Sequence, residues 1–295
     1  MNILLDNINL NSPSGPNHFA SKLKKYMSKQ GDTFNSDEKY DAQLSFINRL
    51  QRVPDTPIFQ RLDGIYFNSS QDFQAMNEVI ADTYRQAHGV VFQSEFNRKL
   101  TFEYFGEHGN YEVIHNGADL ELIQEIPTLS HPGLDRYENV WSCASSWRPH
   151  KRLRQNVEYF LDHASERDCM IVAGATNERP IEDSRVYYVG DLDIPSLISL
   201  YKRSRFFVHL AYLDHCPNVV VDATACGCEI ICSSTGGTKE IAIGATLIGE
   251  EEWDYSPIEL YSPPKMDFSN KRKNEHTPNI DMNYVAAKYN KFLGA

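Results

Sequence analysis

Short apolar runs of strand type alternate with amphipathic helical segments along most of the chain, and this alternation limits the fold more than any other feature. NILLDNI opens as a strand, NSPSGPN supplies turn chemistry, and HFASKLKKYMSKQ places Phe19, Leu23, Tyr26 and Met27 on one helical face. AQLSFI and PIFQRLDGIYF read as further strands, DFQAMNEVIADTYRQA as a helix, GVVFQ as a strand, and SEFNRKLTFEYFG as a second amphipathic helix before YEVIHNG. The second half repeats the theme. VWSCAS, CMIVAG, VYYVG, RFFVHL and EIICSS alternate with helices from about Leu153 to Ala164, over IPSLISLYKRS, and from Pro217 to Cys226. Strands spaced by helices imply parallel sheets covered on both faces, an α/β class. The polar, turn-rich stretch PTLSHPGLDRYE lies inside a linker at about residues 124–138. Two doubly wound, Rossmann-like domains follow, at 1–125 and 137–265, with a terminal helix in 280–295 able to pack back on the first.

Charge narrows the partners. Twenty-nine Lys and Arg against forty Asp and Glu give a net charge of -11, which weighs against nucleic acid. MNILLDNINL has no basic leader, and nowhere do eighteen apolar residues run together, so a cytoplasmic protein is expected. The basic segments SKLKKYMSK and KRK (271–273) offer peripheral contact with anionic lipid, although helix solvation and a disordered loop account for them more cheaply. The six cysteines sit mostly in apolar runs and read as buried thiols. A zinc site from His209, His215, Cys216, Cys226 and Cys228 lacks paired CxxC spacing.

The chemistry concentrates in DHCPNVVVDATACGCEIICSS, residues 214–234. Asp214 follows the carboxyl end of the RFFVHL strand, where open α/β sheets bind ligands. Pro217 suits the first helical position, the N–H groups of Asn218 and Val219 then face the same crevice, and Asp222 lies one turn further in. Two carboxylates and a helix N-terminus suit a ligand with hydroxyls and an anionic group, as a sugar nucleotide has. Equally, Asp214 could cap the helix and Asp222 be solvated, and the residues alone leave both open.

In order and spacing, the motifs resemble the retaining GT-B glycosyltransferases of family 4 (glycosyl transferases group 1), whose pattern is roughly E-G-F-P-N-x-x-x-E-A-x-A-x-G-x-P. Pro217, Asn218, Asp222, Ala223, Ala225 and Gly227 fall in register, and STGGTKEI (234–241), with Gly236 and Gly237, matches the Gly-Gly-x-x-Glu segment that follows. SSWRPHKRL (145–153) looks like the family's basic phosphate loop, VIHNGAD (113–119) like the signature closing its first domain, and GPNHFASKL like its opening glycine loop. The resemblance implies a GT-B fold with two Rossmann-like domains facing a cleft. It further implies transfer of a sugar, with retention, from a nucleotide-diphosphate sugar, UDP- or GDP-linked, to a glycan, lipid-linked or small-molecule acceptor. No cofactor and no metal are expected. A front-face mechanism needs no enzymic nucleophile. Carried over by position, Asp222 takes the ribose hydroxyls, Asp214 lies near the donor sugar, and Lys151 with Arg148 holds the diphosphate; Gly15 lets backbone approach it, with a plain tight turn at Ser14-Gly15-Pro16 as the alternative. Asp63 and Gly64, past a first-domain strand, are candidates for acceptor or sugar contacts, with a plain turn as the alternative.

Two departures stand out. Aspartate replaces glutamate at both acid positions, and Ser145 and Ser146 stand where the family usually has an arginine. Asp191 and Asp193 in GDLDIP form an Asp-x-Asp, but Asp193 precedes a helix as an N-cap would. A lapsed or partner-dependent nucleotide-sugar-binding subunit, or a GT-B sugar-nucleotide epimerase, are the alternative functions.

Overall fold

The structure, a computed structural model, describes residues 1–12, 14–36 and 39–294. Its first sheet has six parallel strands in the order β2-β1-β3-β4-β5-β6, formed by β1 (Asn2–Asp6), β2 (Thr33–Phe34), β3 (Ala42–Phe46), β4 (Ile58–Leu62), β5 (Gly89–Phe92) and β6 (Tyr111–Val113). Helices α1 (Gly15–Lys29), α2 (Phe73–Gln86) and α3 (Glu95–Phe105) connect them. Helix α4 (Leu120–Glu125) opens the connection to the second half and is capped by Asp119, whose Oδ1 accepts from Leu122 N at 3.1 Å.

The second sheet runs β13-β12-β11-β10-β7-β8-β9. Its strands are β7 (Val140–Ala144), β8 (Cys169–Ala173), β9 (Val186–Gly190), β10 (Phe206–His209), β11 (Glu229–Ser233), β12 (Thr246–Ile248) and β13 (Lys271–Lys273). All pair in parallel except β13, which runs antiparallel to β12. Helices α5 (Leu153–His163), α6 (Ile194–Arg203) and α7 (Asn218–Ala225) complete this half. Asp193 caps α6, accepting from Ser196 N at 2.9 Å. After β9 the chain returns to the other side of β7 to form β10, so the strand order reverses between β7 and β10. Loops leaving the carboxyl ends of strands at such a reversal diverge and open a crevice.

Both halves bury apolar faces as the period-2 and period-3.6 patterns require. In α1, Phe19, Leu23, Tyr26 and Met27 are fully buried; Lys22 shares that buried stretch. The last helix, α8 (Met282–Leu293), returns to the first half, where Val285, Ala286, Tyr289 and Phe292 join the core of α1 and the first sheet. Its anchor is specific: Ala118 N donates to Ile280 O at 2.7 Å, Met282 N donates back to Ala118 O at 3.2 Å, and Phe292 meets Phe59 edge-on at 5.5 Å.

Four differences from the sequence expectations have local causes. The strand read as PIFQRLDGIYF ends at Leu62, because Gly64 has φ +138 and turns the chain out of the sheet. Residues 271–273, read as a disordered loop, form edge strand β13. Helix α4, which the sequence reading did not expect, runs into the start of the segment read as a linker. The boundary expected at 265 falls between contacts with both halves: before it Ile258 N donates to Phe67 O at 3.2 Å and Ser69 N to Ile258 O at 2.9 Å, and after it β13 pairs with β12 of the second sheet. Among the described residues, no helix is long and apolar enough to cross a membrane.

Phe292→Ala removes the α8 anchor, and we expect it to lower the unfolding free energy by about 3–5 kcal/mol in urea titrations. A loss below about 1 kcal/mol would mean that the site collapses and α8 is not held there.

Candidate active site

The loops after β7 and β10 meet at the reversal. In the first, Pro149–Lys151 form a short 3-10 turn, and Lys151 Nζ reaches Asp214 Oδ2 at 2.6 Å. His209, at the end of β10, donates from Nε2 to the same oxygen at 2.9 Å, and His215 N donates to Asp214 Oδ1 at 3.0 Å. Burial would raise the Asp214 pKa, but the Lys151 ammonium and His209 hold it well below the usual carboxylate range. Asp214 is therefore an ionised, pre-oriented acid. It does not cap α7, because Pro217 stands at that cap.

The loops are tied together from beneath. Tyr212 N donates to His150 O at 2.7 Å, and the buried Arg152 guanidinium donates to Leu210 O at 3.2 Å and pairs with Glu250 at 2.5 Å. Gly237 N donates to Asp214 O at 2.7 Å. A methyl on Gly236 would lie 2.5 Å from Asp214 O, and one on Gly237 2.0 Å from His215 O and 2.6 Å from Ser94 Oγ of the first domain. Gly236 and Gly237 thus let the loop after β11 lie directly against the Asp214–His215 backbone.

Pro217 is the N-cap of α7 and not its first residue, a one-position correction. Val220 N and Val221 N bond to Pro217 O at 3.1 and 3.3 Å, so the N–H groups of Asn218 and Val219 head the helix. Asn218 Nδ2 donates across the cleft to Gly15 O at 3.0 Å, joining the starts of α7 and α1. Asp222 is 7% exposed and so is not a solvated helical residue. Its carboxylate faces the first domain, with Lys22 Nζ 3.2 Å from Oδ1 and His18 Nε2 3.6 Å from Oδ2. Burial raises its pKa, Lys22 and His18 lower it, and the balance lies below the usual value. The two acids flank the cleft with separate partners.

From the first domain, Asp63 follows β4 and pairs with the buried Arg61, and its Oδ2 is buried without a partner. A methyl on Gly64 would lie 2.6 Å from His215 Nε2, so the missing side chain makes room for that imidazole. Arg61 Nη2 donates to Asn116 Oδ1 at 2.7 Å, and Asn116 Nδ2 donates to Cys216 O at 2.7 Å, linking both domains through the VIHNGAD segment. Arg148 is exposed and forms no ion pair among the described residues, although Lys151 N bonds to its carbonyl at 2.8 Å.

The sequence reading gave four groups here no part in the ligand site, His215 having been weighed only as a zinc ligand. Lys22 and His18 were hidden inside an amphipathic helix, where the only signal was a lysine among core positions. His215 occupies the glycine position of the E-G-F-P-N pattern. Glu240, noted only as a motif letter, accepts from Glu95 N at 2.7 Å and Phe96 N at 2.9 Å and lies 3.1 Å from His115 Nε2, so one domain caps a helix of the other.

The fold is GT-B, mixed α/β with two parallel-dominated sheets. Residues 182–250 match the family described as glycosyl transferases group 1. Among solved structures, the chain is similar to HepE of Anabaena in complex with UDP-glucose, with TM-score 0.70 and 14% identity over 100% of this chain and 99% of that one. It is also similar to sucrose-phosphate synthase of Thermosynechococcus elongatus (TM-score 0.64, 13% identity, 99% and 90% covered). A third is AviGT4, a glycosyltransferase involved in avilamycin A biosynthesis (TM-score 0.65, 11% identity, 99% and 97% covered). No curated protein matches the sequence.

Burial around the site depresses three imidazoles: His150 to about 3, His215 to about 4, and His209 in the same direction. The unfolded chain titrates these groups near 6.5, so it binds more protons than the folded chain as pH falls below that value. Stability should therefore decline from about pH 6.5 towards pH 4, by up to about 1.4 kcal/mol per pH unit for each histidine. Asp214 and Asp222, also depressed, add to the loss only below about pH 4. Urea midpoints between pH 7 and 4.5 measure this. His150→Phe should flatten the curve, and a wild-type curve already flat would contradict the buried neutral imidazoles.

Proposed function

We propose that the protein is a glycosyltransferase that binds a nucleoside-diphosphate sugar in the interdomain cleft and transfers the sugar to an acceptor hydroxyl. The observation that carries this reading is the set at the sheet reversal: Asp214 ionised against Lys151, the open start of α7, and the buried Asp222 one turn along. The match at residues 182–250 and the UDP-glucose held by HepE of the same fold support it.

The donor lies with its ribose hydroxyls towards Asp222 and its diphosphate before the N–H groups of Asn218 and Val219. Breaking the bond between the anomeric carbon and the phosphate oxygen leaves the electron pair on the diphosphate. Charge therefore grows on that oxygen in the transition state, and Lys151 and the helix start stabilise it there. Asp214 reaches the hydroxyls of the departing sugar, keeping Lys151 oriented until the diphosphate takes over as its counter-ion. The acceptor oxygen bonds to the same face of the anomeric carbon while its proton passes to the leaving diphosphate, which gives retention and requires no protein nucleophile. The cations and helix dipole take the place of a metal ion. Asp63, with its unpartnered Oδ2, and Gly64 beside His215 face the reacting sugar or acceptor. The donor is a UDP- or GDP-sugar, the acceptor a glycan, lipid-linked or small-molecule hydroxyl, and the reaction is cytoplasmic.

A thermal-shift screen of UDP, GDP, ADP and dTDP and their sugar conjugates, without metal, tests the site. One base series should raise the melting midpoint by several degrees, since ligand at ~100 times Kd adds about 2.7 kcal/mol. With the donor so found, Lys151→Ala should lower kcat by roughly 10²–10³-fold, the scale for a lost oxyanion contact. Asp222→Ala should weaken donor binding by about ten- to a hundredfold. EDTA should leave turnover unchanged. No shift with any nucleotide, or near-normal turnover by Lys151→Ala, would refute the assignment.

A further inference from the structure

In the basic loop, Ser145 and Ser146 stand where an arginine would supply a second charge, and Arg148 is exposed without an ion pair among the described residues. Lys151 alone would then face a diphosphate whose charge grows during the reaction. The opposite wall of the cleft offers another cation. Lys22, on the second turn of α1, has a side chain only 5% exposed. Lysine is almost never buried to that extent unless it is paired. Its ammonium lies 3.2 Å from Asp222 Oδ1 and 3.5 Å from Asn218 Oδ1, at the start of α7. The same few ångströms hold the Asn218 Nδ2 bond to Gly15 O, so Lys22 lies where the glycine turn and the start of α7 converge.

We propose that Lys22 is the second cation of the diphosphate site, supplied by the first domain in place of the arginine missing from the basic loop. This rests on the nucleotide-sugar reading above. In the free protein the ammonium is held by Asp222. When a nucleotide enters, the ribose hydroxyls replace it on that carboxylate, and the ammonium turns to the diphosphate at the start of α7. Lysine suits the exchange because its point charge on a four-carbon stem moves between partners without fixed fork geometry. His18, 3.6 Å from Asp222 Oδ2, remains beside the carboxylate as the ammonium leaves. Donor binding thereby exchanges the Lys22–Asp222 pair for a Lys22–diphosphate pair at the start of α7.

Calorimetric titration of the full chain with UDP and with uridine, and with GDP and guanosine in parallel, tests the assignment. Lys22→Gln keeps a hydrogen-bond donor near Asp222 without the charge, and Lys22→Arg keeps the charge. Lys22→Gln should lower the affinity for the diphosphate relative to that for the matching nucleoside by about ten- to a hundredfold, and Lys22→Arg should recover most of that difference. The nucleoside titration also shows that each variant is folded at the site. If Lys22 only plugs Asp222, Lys22→Gln will bind nucleoside and diphosphate more tightly than wild type, and the proposal is wrong. Equal weakening of both ligands would make Lys22 a support for Asp222 and would also overturn it. Failure of the wild type to bind any of the four would remove the nucleotide reading itself, a result separate from the behaviour of the variants.

Discussion

A carboxylate taken out of water needs a cation or several donors, and this constraint organises the whole cleft. The two acids meet it differently. Asp214 finds Lys151 and His209 within its own domain, so its geometry is complete once the second sheet has formed. Asp222 finds Lys22 and His18 on α1, about two hundred residues away in sequence. Removing one partner of a buried pair costs roughly 3–5 kcal/mol, because the other charge is left without solvent or counter-ion. Opening the cleft therefore requires water or a ligand to take over Asp222 as α1 leaves. The second domain builds the first acid by itself and depends on the first domain for the second.

Other contacts across the cleft point the same way. Glu240 lends its carboxylate to the start of α3, where N–H groups lack intrahelical acceptors, so the charge is satisfied by a helix and not by a lone cation. Asn116 is held by Arg61 and reaches the carbonyl of Cys216, which fixes the approach of the loop bearing Asp214 to the first sheet. An apolar group completes the joint. Phe67 packs on Trp253 at 4.8 Å, and Phe96 lies 5.3 Å from the His215 ring. This cluster explains why the His215 imidazole is neutral: burial lowers its pKa more than the nearby Asp214 raises it. With α8 also returned to the first half, the chain crosses between domains more often than one linker would allow.

The parts legible in the sequence were those governed by local periodicity and local chemistry. Buried strands of four or five residues and helices with one apolar stripe announce themselves within a window of a dozen residues, as in Ala42–Phe46 and Ile194–Arg203. The Asp193 cap was legible for the same reason, since the acceptor and the N–H it satisfies are three residues apart. Illegible features were set at long range or by a single dihedral. KRK became a strand only because β12 offered an antiparallel edge, and no spacing inside three basic residues encodes that. The end of β4 depends on one glycine at φ +138, which the apolar letters after it conceal. Among site residues, motif order marked the acids and Lys151, but not the partners of Asp222, because Lys22 obeys the helical period of its apolar neighbours and differs from them only in charge.

The departures from the family pattern become related once these distances are considered together. An aspartate at 222 keeps its carboxylate one methylene nearer the axis of α7 than a glutamate would. In that position it accepts from Lys22 at 3.2 Å while Asn218 bonds to Gly15 at 3.0 Å. The short acid thus meets a first-domain cation directly across the joint that Asn218 and Gly15 close. At 214 the shorter acid is likewise matched, here by Lys151 and His209 meeting on one oxygen at 2.6 and 2.9 Å. His215, where the pattern has glycine, fits because Gly64 opposite it has no side chain, so space lost on one wall is returned on the other. The charges of the cleft are thus carried by both walls, Lys151 on one and Lys22 on the other, each meeting an aspartate of the second domain.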